Sequence, residues 1–149
     1  MSKPKYLLDV NVLIALTDEG HVHHQIVMEW FKAPGLDWGR CAFSEAGYFR
    51  ISVDPRLGRL TFEDATNILA ALPNRSGYQY WPITADWAEL VAHFRERVLG
   101  HQQVTDAWLL GLAIQEGGIL VTLDKGIRSL AGAKYSKHVL VLEAKTMHG

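Results

Sequence analysis

The sequence predicts an α/β fold in three layers, α/β/α, with a short parallel sheet flanked by helices. Short apolar segments alternate with helix-like segments, which is the pattern of parallel strands joined by helical crossovers. The strand-like segments are apolar throughout, as expected where helices cover both faces of a sheet. No repeat or linker interrupts this pattern. We therefore expect one domain over residues 1–149, with a core at about 4–142 and a short tail at 143–149.

The composition is that of an ordinary globular domain. The chain has 149 residues, 48% of them hydrophobic, and a formal net charge of −1. This balance excludes a polybasic nucleic-acid binder, but it allows a nucleic-acid substrate that is met at one local site. The single cysteine, Cys41, favours a reducing compartment. No segment approaches the ~20 apolar residues of a membrane span, and the N-terminus lacks a signal-peptide pattern, so we expect a cytoplasmic protein.

The first half of the chain predicts two strands, each followed by a helix. The apolar run before Asp9 fits a buried strand, and a helical stripe of apolar residues then continues until Pro34. After a second strand, Ser44 resembles an N-cap with Glu45 in the first helical turn. The predicted elements are strands at 5–9 and 38–43 and helices at about 20–33 and 44–53.

The second half continues the alternation. Thr61 opens a capping-box pattern ahead of an apolar stripe, and Thr105 is predicted to cap a later helix that is apolar nearly all round. We expect that later helix to be buried or to lie at a subunit contact. The predicted elements are helices at about 61–72, 87–98 and 105–116 and strands at 78–83, 119–123 and 138–142.

Four carboxylates fall at the predicted ends of these elements. Asp9 and Asp124 close strands, whereas Glu45 and Asp106 begin helices. In a doubly wound sheet the carboxyl ends of strands and the amino ends of helices face one edge, so these acids are predicted to converge there. Oxygen-only clusters suit Mg²⁺ or Mn²⁺, and without a cation the acids repel one another. Taken singly, an acid in the first turn of a helix also has a purely structural explanation, since it faces the helix's positive end.

The order and spacing of four short motifs resemble a PIN domain. The chain is similar, more narrowly, to the ribonuclease toxins of bacterial VapBC toxin–antitoxin pairs, from the first strand to the fourth. Family members often have an aromatic residue shortly after the last acid, where this chain has Ile127. The motifs are Leu8-Asp9-Val10-Asn11-Val12-Leu13, Ser44-Glu45 ahead of an aromatic-rich helix with Arg50, Val104-Thr105-Asp106-Ala107, and Val121-Thr122-Leu123-Asp124.

The resemblance implies a sheet in the order 3-2-1-4-5, a homodimer, and a cognate VapB-like antitoxin whose C-terminal segment blocks the active-site groove. It also implies a set of site residues. In that set Asp9, Glu45, Asp106 and Asp124 are catalytic and hold one or two Mg²⁺ or Mn²⁺ ions, and Asn11, Thr122 and Thr105 support them.

The leading hypothesis is a metal-dependent endoribonuclease, the toxin of a toxin–antitoxin pair, that inhibits translation and growth by cleaving tRNA, rRNA or mRNA. A divalent ion at the acids would activate water for attack on a phosphodiester. Arg50, Tyr48 and Trp108 are expected to contact RNA or the antitoxin, because arginines bind phosphates and aromatic rings stack on unpaired bases.

Three alternatives remain open from the residues alone. A metal-independent ribonuclease would use two histidines, and His21, His23, His24, His93 and His101 are the candidates considered. A binding module would keep the fold without the chemistry. A phosphoryl-transfer fold also begins with a strand that ends in Asp, but the residue two positions beyond Asp9 is Asn11 rather than a second acid.

Overall fold

The structure is a computed structural model that describes residues 3–58, 60–97, 100 and 103–144. No helix within these ranges has the length and apolar character needed to cross a bilayer. The strands are β1 (Lys5–Leu8), β2 (Asp37–Gly39), β3 (Ile119–Thr122) and β4 (Val139–Val141). The helices are α1 (Val10–Thr17), α2 (His24–Phe31), α3 (Ala42–Ser52), α4 (Phe62–Ala71), α5 (Trp87–Val91), α6 (Val104–Gln115) and α7 (Ile127–Ala131).

The sheet is parallel throughout, with its strands in the order β2-β1-β3-β4. The predicted three-layer class is confirmed, and so is the relative order of these four strands. The predicted strand at 78–83 is present only as one parallel bridge between Tyr78 and Trp38 at the outer side of β2. Its backbone pairing ends with the Trp81 N–H, which donates to the Arg40 carbonyl at 2.9 Å, because the chain beyond Arg40 leaves the sheet and enters α3 at Ala42.

Helices cover both faces of the sheet. Successive strand residues point to opposite faces, so Leu7 belongs to one core cluster and Leu8 to the other, and both are fully buried. Residues of α5, α6 and α7 pack on the first face, and residues of α1, α2, α3 and α4 pack on the second. Gly111 allows α6 to approach α5 closely, since a Cβ there would lie 1.9 Å from the Leu90 carbonyl oxygen. The core therefore fixes both elements that carry Asp9 and Asp106.

Two helices were not predicted. The apolar run that forms α1 is buried at Val12, Leu13, Ala15 and Leu16, so it has no polar stripe to mark it as a helix. Helix α7 spans only five residues, too few for a periodic pattern.

Several predicted boundaries were wrong. The strand predicted at 38–43 is Asp37–Gly39, because the chain already enters α3 at Ala42, and the helix predicted from about residue 20 begins at His24. Helix α3 begins at Ala42 after Cys41, and Ser44 supports its first turn instead of preceding it, since the Cys41 N–H donates to Ser44 Oγ at 3.0 Å. Helix α6 begins at Val104, so Thr105 lies inside its first turn and is not the cap. The predicted helix at 87–98 ends as an α-helix at Val91 and continues as a 3₁₀ helix to Arg97, and residue 98 lies outside the described ranges.

Candidate active site

Asp9 lies between β1 and α1 and is 4% exposed. Its backbone N–H donates to the Val121 carbonyl at 2.9 Å, which extends the pairing of β1 with β3. Its side chain caps α1, because Oδ1 accepts a hydrogen bond from the Val10 N–H at 2.7 Å. The carboxylate therefore lies at the carboxyl edge of the sheet, where the sequence predicted it.

Thr122 and Asn11 connect Asp9 to the end of β3. The Thr122 hydroxyl donates to Asp9 Oδ2 at 2.6 Å and accepts from the Asp124 N–H at 3.1 Å. Asn11 Nδ2 donates to the same hydroxyl oxygen at 3.3 Å, and Asn11 Oδ1 accepts from the Leu123 N–H at 3.1 Å. Thr122 is fully buried, so these bonds use its donor and both of its acceptor positions away from water. This network holds Asp9 and Asp124 in a fixed relation.

Asp106 is the third carboxylate of the group and projects from the first turn of α6. Its pKa is raised to about 7, mainly by burial and additionally by the negative charges of Asp9 and Asp124. Burial is also the main reason that the pKa of Asp9 is raised. The Thr122 and Val10 hydrogen bonds oppose that shift and Asp124 adds to it. The structure thus brings Asp9, Asp106 and Asp124 together as mutually repelling groups.

Glu45 does not join this group. Its Oε2 accepts a hydrogen bond from Arg40 Nε at 3.0 Å, and the Arg40 side chain is only 7% exposed. Arg40 Nη1 also donates to the Leu69 carbonyl at 2.7 Å, and the guanidinium carbon lies 5.4 Å from the centre of the Tyr78 ring. Glu45 is not among the groups that raise the pKa of Asp9 or Asp106. Its charge is therefore balanced inside the chain.

The donor chemistry of the three aspartates fits a hard divalent cation. They offer only oxygen atoms, and a bound cation would offset the burial of their charges and the smaller mutual repulsion that together raise the pKa values of Asp9 and Asp106. In their present arrangement, no three His, Cys, Asp or Glu side chains in the described ranges are placed to ligate one metal ion together. Asp9, Asp106 and Asp124 are the residues that would hold such an ion.

The three predicted contact residues differ in accessibility. Arg50 is exposed in the last turn of α3. Tyr48 is 1% exposed and its hydroxyl lies 3.3 Å from Thr17 Oγ1, so the prediction that it stacks on a base was wrong. Trp108 stacks on Phe43, with ring centres 4.5 Å apart, and meets the edge of Trp87 at 5.0 Å. Its indole is thus engaged within an aromatic cluster.

The histidines of the described ranges have local hydrogen-bond partners other than the aspartates, and His21 lines a groove beside Asn11. His21 and His23 are adjacent, since the His23 N–H donates to His21 Nδ1 at 3.0 Å. His101 lies outside the described residues. Three other imidazoles have local partners: His24 Nδ1 is 2.7 Å from the Ala15 carbonyl oxygen, His93 Nδ1 is 2.8 Å from the Tyr135 hydroxyl, and His138 Nδ1 is 2.7 Å from the Gly118 carbonyl oxygen.

A groove of about 590 Å³ opens beside Asn11 and runs between α1, α3 and α4. Ile14, Ile51 and Ile68 line it, and Leu57 at its rim is 69% exposed. The groove therefore presents an accessible apolar surface next to the carboxylate group.

Sequence reasoning missed Arg40. A signal was present, because Arg40 directly follows β2 in the same way that Asp9 directly follows β1. Its pairing with Glu45 could not be inferred from sequence, since it depends on how α4 and the Tyr78 segment pack around the guanidinium.

Comparisons with known proteins agree with this geometry. The model of the PIN domain family matches residues 6–133. Ribonuclease VapC38 of Mycobacterium tuberculosis is 41% identical over 128 residues, which are 84% of this chain and 89% of that protein. Ribonuclease VapC39 of the same species is 38% identical over 130 residues, 85% of this chain and 94% of that protein.

Solved structures share the fold. A toxin–antitoxin complex from Klebsiella pneumoniae contains a chain that superimposes with a TM-score of 0.63 at 18% identity, covering 93% of this chain and 98% of that one. At this level of identity the similarity concerns the fold alone.

Proposed function

Because the chain belongs to the PIN domain family, and to its VapC-like ribonuclease toxins, we propose that it is an endoribonuclease that depends on Mg²⁺ or Mn²⁺. The observation that supports metal dependence is the convergence of Asp9, Asp106 and Asp124, with the pKa of Asp106 raised to about 7. One or two ions would be held by these aspartates. A divalent cation there supplies positive charge that screens the attacked phosphate and favours deprotonation of the attacking water.

The residues around the aspartates orient them for this task. Thr122 fixes one oxygen of Asp9 and the backbone of Asp124, and the Gly126 N–H holds one oxygen of the Asp124 carboxylate, so both side chains are ordered before substrate arrives. Asn11 anchors Thr122 and the Leu123 backbone to α1. We place Thr105 with these supporting residues from its position beside Asp106. The hydrogen-bond network thus supplies a preorganised negative pocket.

Glu45 has a different part in this proposal. Arg40 holds its carboxylate by a hydrogen bond, and 29% of the Glu45 side chain is accessible. We propose that Glu45 completes the catalytic set as an additional ligand or as the acceptor of the proton from the attacking water.

The test is RNA cleavage by the purified protein in Mg²⁺, in Mn²⁺ and in EDTA. We expect cleavage only with a divalent ion, and we expect Asp9→Asn to abolish it. Asp86→Asn is the matched control, because Asp86 caps α5 away from the group and asparagine caps a helix equally well. Equal cleavage by folded Asp9→Asn and Asp86→Asn would refute the proposal.

The alternatives give different results in the same assay. A histidine ribonuclease would cleave in EDTA and leave cyclic phosphate ends. An inactive binding module would show no heat of Mn²⁺ binding by calorimetry. The local hydrogen bonds that engage His24, His93 and His138 favour the metal-dependent reaction.

We further propose that the protein acts in the cytoplasm as the toxin of a toxin–antitoxin pair, with a VapB-like antitoxin that covers the groove beside Asn11. The Klebsiella pneumoniae relative is a toxin–antitoxin complex, and the groove offers apolar surface for a peptide. Leu57→Asp should weaken antitoxin binding more than tenfold by titration calorimetry, an effect on the order of an interface hot spot. Val22→Asp is the control, because Val22 is 83% exposed and lies outside the groove lining. Equal weakening by both variants would refute this assignment.

The homodimer is proposed from the family resemblance. Leu109, Leu110 and Leu112 of α6 are fully buried inside the chain, so the apolar character of this helix requires no second subunit. Light scattering of the isolated chain tests the dimer, and a monomeric mass would refute it.

A further inference from the structure

Glu143 lies at the same edge of the sheet as Asp124. Strands β3 and β4 pair with Thr122 opposite Val141, and the Leu142 N–H donates to the Thr122 carbonyl at 2.9 Å. Asp124 and Glu143 each follow this pair by two residues, so they extend from neighbouring strands at the same level. Glu143 is thus a further carboxylate beside the proposed active site, and sequence reasoning had assigned it only to the tail.

Two cations meet on one oxygen of Glu143. Lys125 Nζ lies 3.5 Å from Glu143 Oε1, and Arg128 Nη1 lies 3.4 Å from the same atom. An ammonium and a guanidinium that share one anionic oxygen form the arrangement that binds a phosphate oxygen. The Glu143 carboxylate therefore occupies the position between these two cations that a phosphate oxygen would take.

The ion pairs of Glu143 with Lys125 and Arg128 are weak enough for a phosphate to replace the carboxylate. The Lys125, Arg128 and Glu143 side chains are 72%, 55% and 41% exposed, and both contacts are longer than a strong charge-assisted hydrogen bond. Exposed ion pairs of this kind contribute little stability. A phosphate brings several acceptor oxygens to the same two cations, so it competes well with a single carboxylate oxygen.

The position of the pair suits an RNA strand. Lys125 directly follows Asp124, and the Gly126 N–H donates to Asp124 Oδ1 at 2.8 Å, which fixes this turn. Arg40, the other cation paired at this edge in the described ranges, is too buried to reach a strand. A strand whose cleaved phosphate lies at Asp124 therefore brings a flanking phosphate to Lys125 and Arg128.

We propose that Lys125 and Arg128 form a binding site for an RNA phosphate next to the cleaved bond, and that Glu143 occupies this site until RNA displaces it. This inference rests on the proposed ribonuclease function. According to this proposal, two cations at the catalytic edge provide affinity for RNA, although the net charge of the whole chain is −1.

The test measures binding of a fluorescein-labelled oligouridine by anisotropy in EDTA, where the proposed cleavage is switched off. Lys125→Gln/Arg128→Gln should weaken binding about tenfold and lower the slope of log affinity against log salt by about 1.4, the loss of roughly two single-strand phosphate contacts. Glu143→Gln should tighten binding about threefold, in line with removal of an exposed competing ion pair. Lys32→Gln/Lys137→Gln is the control with the same charge change. Lys32 follows α2 and Lys137 precedes β4, away from the strand ends that carry the aspartates.

The outcomes separate this inference from the proposed function. If the two double variants lose equal affinity, if Glu143→Gln binds no more tightly than the parent, or if the parent shows no salt-sensitive binding, the phosphate site is refuted. Cleavage of RNA by the parent in Mn²⁺ would then leave the ribonuclease proposal intact. Conversely, Lys125→Gln/Arg128→Gln could lose RNA affinity selectively while the parent cleaves no RNA. That result would refute the ribonuclease proposal and support the phosphate site.

Discussion

The two sides of the acidic edge balance negative charge in different ways. Asp9 and Asp124 receive hydrogen bonds from a hydroxyl and from backbone N–H groups, and none of the ion pairs in the described ranges joins a cation to Asp9, Asp106 or Asp124. Glu45 is paired with the buried Arg40. The three aspartates therefore carry a repulsion that an external cation would relieve, whereas Glu45 is compensated by the chain itself.

This difference indicates that the four acids are not equivalent as ligands of a divalent cation. A group that already has a guanidinium partner gains less from a divalent cation than a group that has none. Arg40 also receives support from the Leu69 carbonyl and the Tyr78 ring, so the Glu45 side is built as a rigid structural unit. The following substitutions test whether the two sides respond as differently as their surroundings suggest.

The largest expected difference is between Asp106→Asn and Glu45→Gln. We expect Asp106→Asn to lower kcat about a thousandfold and to remove measurable Mn²⁺ binding, because it deletes a ligand that no cation of the described residues pairs with. Glu45→Gln should lower kcat but keep Mn²⁺ affinity within about tenfold of the parent, since its charge is already balanced by Arg40. Cleavage kinetics and titration calorimetry measure both. Equal loss of Mn²⁺ affinity in the two variants would remove the distinction.

Breaking the Arg40 contacts should have the next largest effect, on stability. Arg40→Met leaves Glu45 and the Leu69 carbonyl without their donor, and we expect the free energy of unfolding to fall by about 3 kcal/mol. Arg40→Met/Glu45→Gln should recover part of that loss, because no charge is then left unpaired. Arg56→Met is the control, since Arg56 pairs with Asp54 at the surface, and we expect no measurable change. Urea unfolding, followed by fluorescence, measures the free energy of unfolding of each variant. A double variant as unstable as Arg40→Met would show that the ion pair is not the cause.

The aspartates should make the free energy of unfolding depend on pH. The Asp106 pKa is raised from 3.8 to about 7, so between these values the folded chain holds a proton that the unfolded chain has released. The free energy of unfolding in EDTA should therefore decrease as pH rises from about 4 to about 7. Because Asp106 is partly exposed, we expect the free energy of unfolding to decrease by about 2 kcal/mol. This is roughly half of the free energy that corresponds to the whole pKa shift.

Asp9 adds to this trend with the same sign, since its pKa is also raised. Thermal unfolding in EDTA across this pH range measures the effect. Asp106→Asn should flatten the curve, and Asp86→Asn should leave it unchanged. Added Mn²⁺ should stabilise the parent most at the upper end of the range, where the carboxylates are ionised. A stability that rises with pH in EDTA would contradict the repulsion between the aspartates.

The same contrast explains how much of the site was predictable from sequence. The positions of Asp9, Asp106 and Asp124 follow from a topological rule, because strand ends and helix starts meet at one edge of a doubly wound sheet. The support by Asn11 and Thr122 came from the resemblance to a known family. The pairing of Glu45 with Arg40 follows from neither, since it depends on the packing of α4 and of the segment around Tyr78.

The fold shows a parallel limit. Uniformly apolar strands and periodic helices predicted the layers, because burial on both faces leaves a clear pattern. The order of the strands was implied by the family resemblance and not by this pattern. Helix α1 gave no such signal, since it is buried on most of its surface and resembles the strand before it. The segment at 78–83 has the composition of a strand, yet its pairing with β2 ends early, because the chain after Arg40 enters α3.

The smallest expected effect concerns the hydroxyl that links Asp9 to Asp124. Thr122→Val keeps the shape of the side chain but removes the donor to Asp9 Oδ2 and the acceptor for Asn11 and the Asp124 N–H. We expect Mn²⁺ affinity to fall about tenfold, the lower end of what outer hydrogen-bond partners of metal ligands contribute. Thr122→Ser is the matched control and should recover most of the affinity, because it restores the hydroxyl. If Thr122→Ser and Thr122→Val bind Mn²⁺ equally, packing and not hydrogen bonding orients the aspartates, and the two sides of the edge differ less than their contacts indicate.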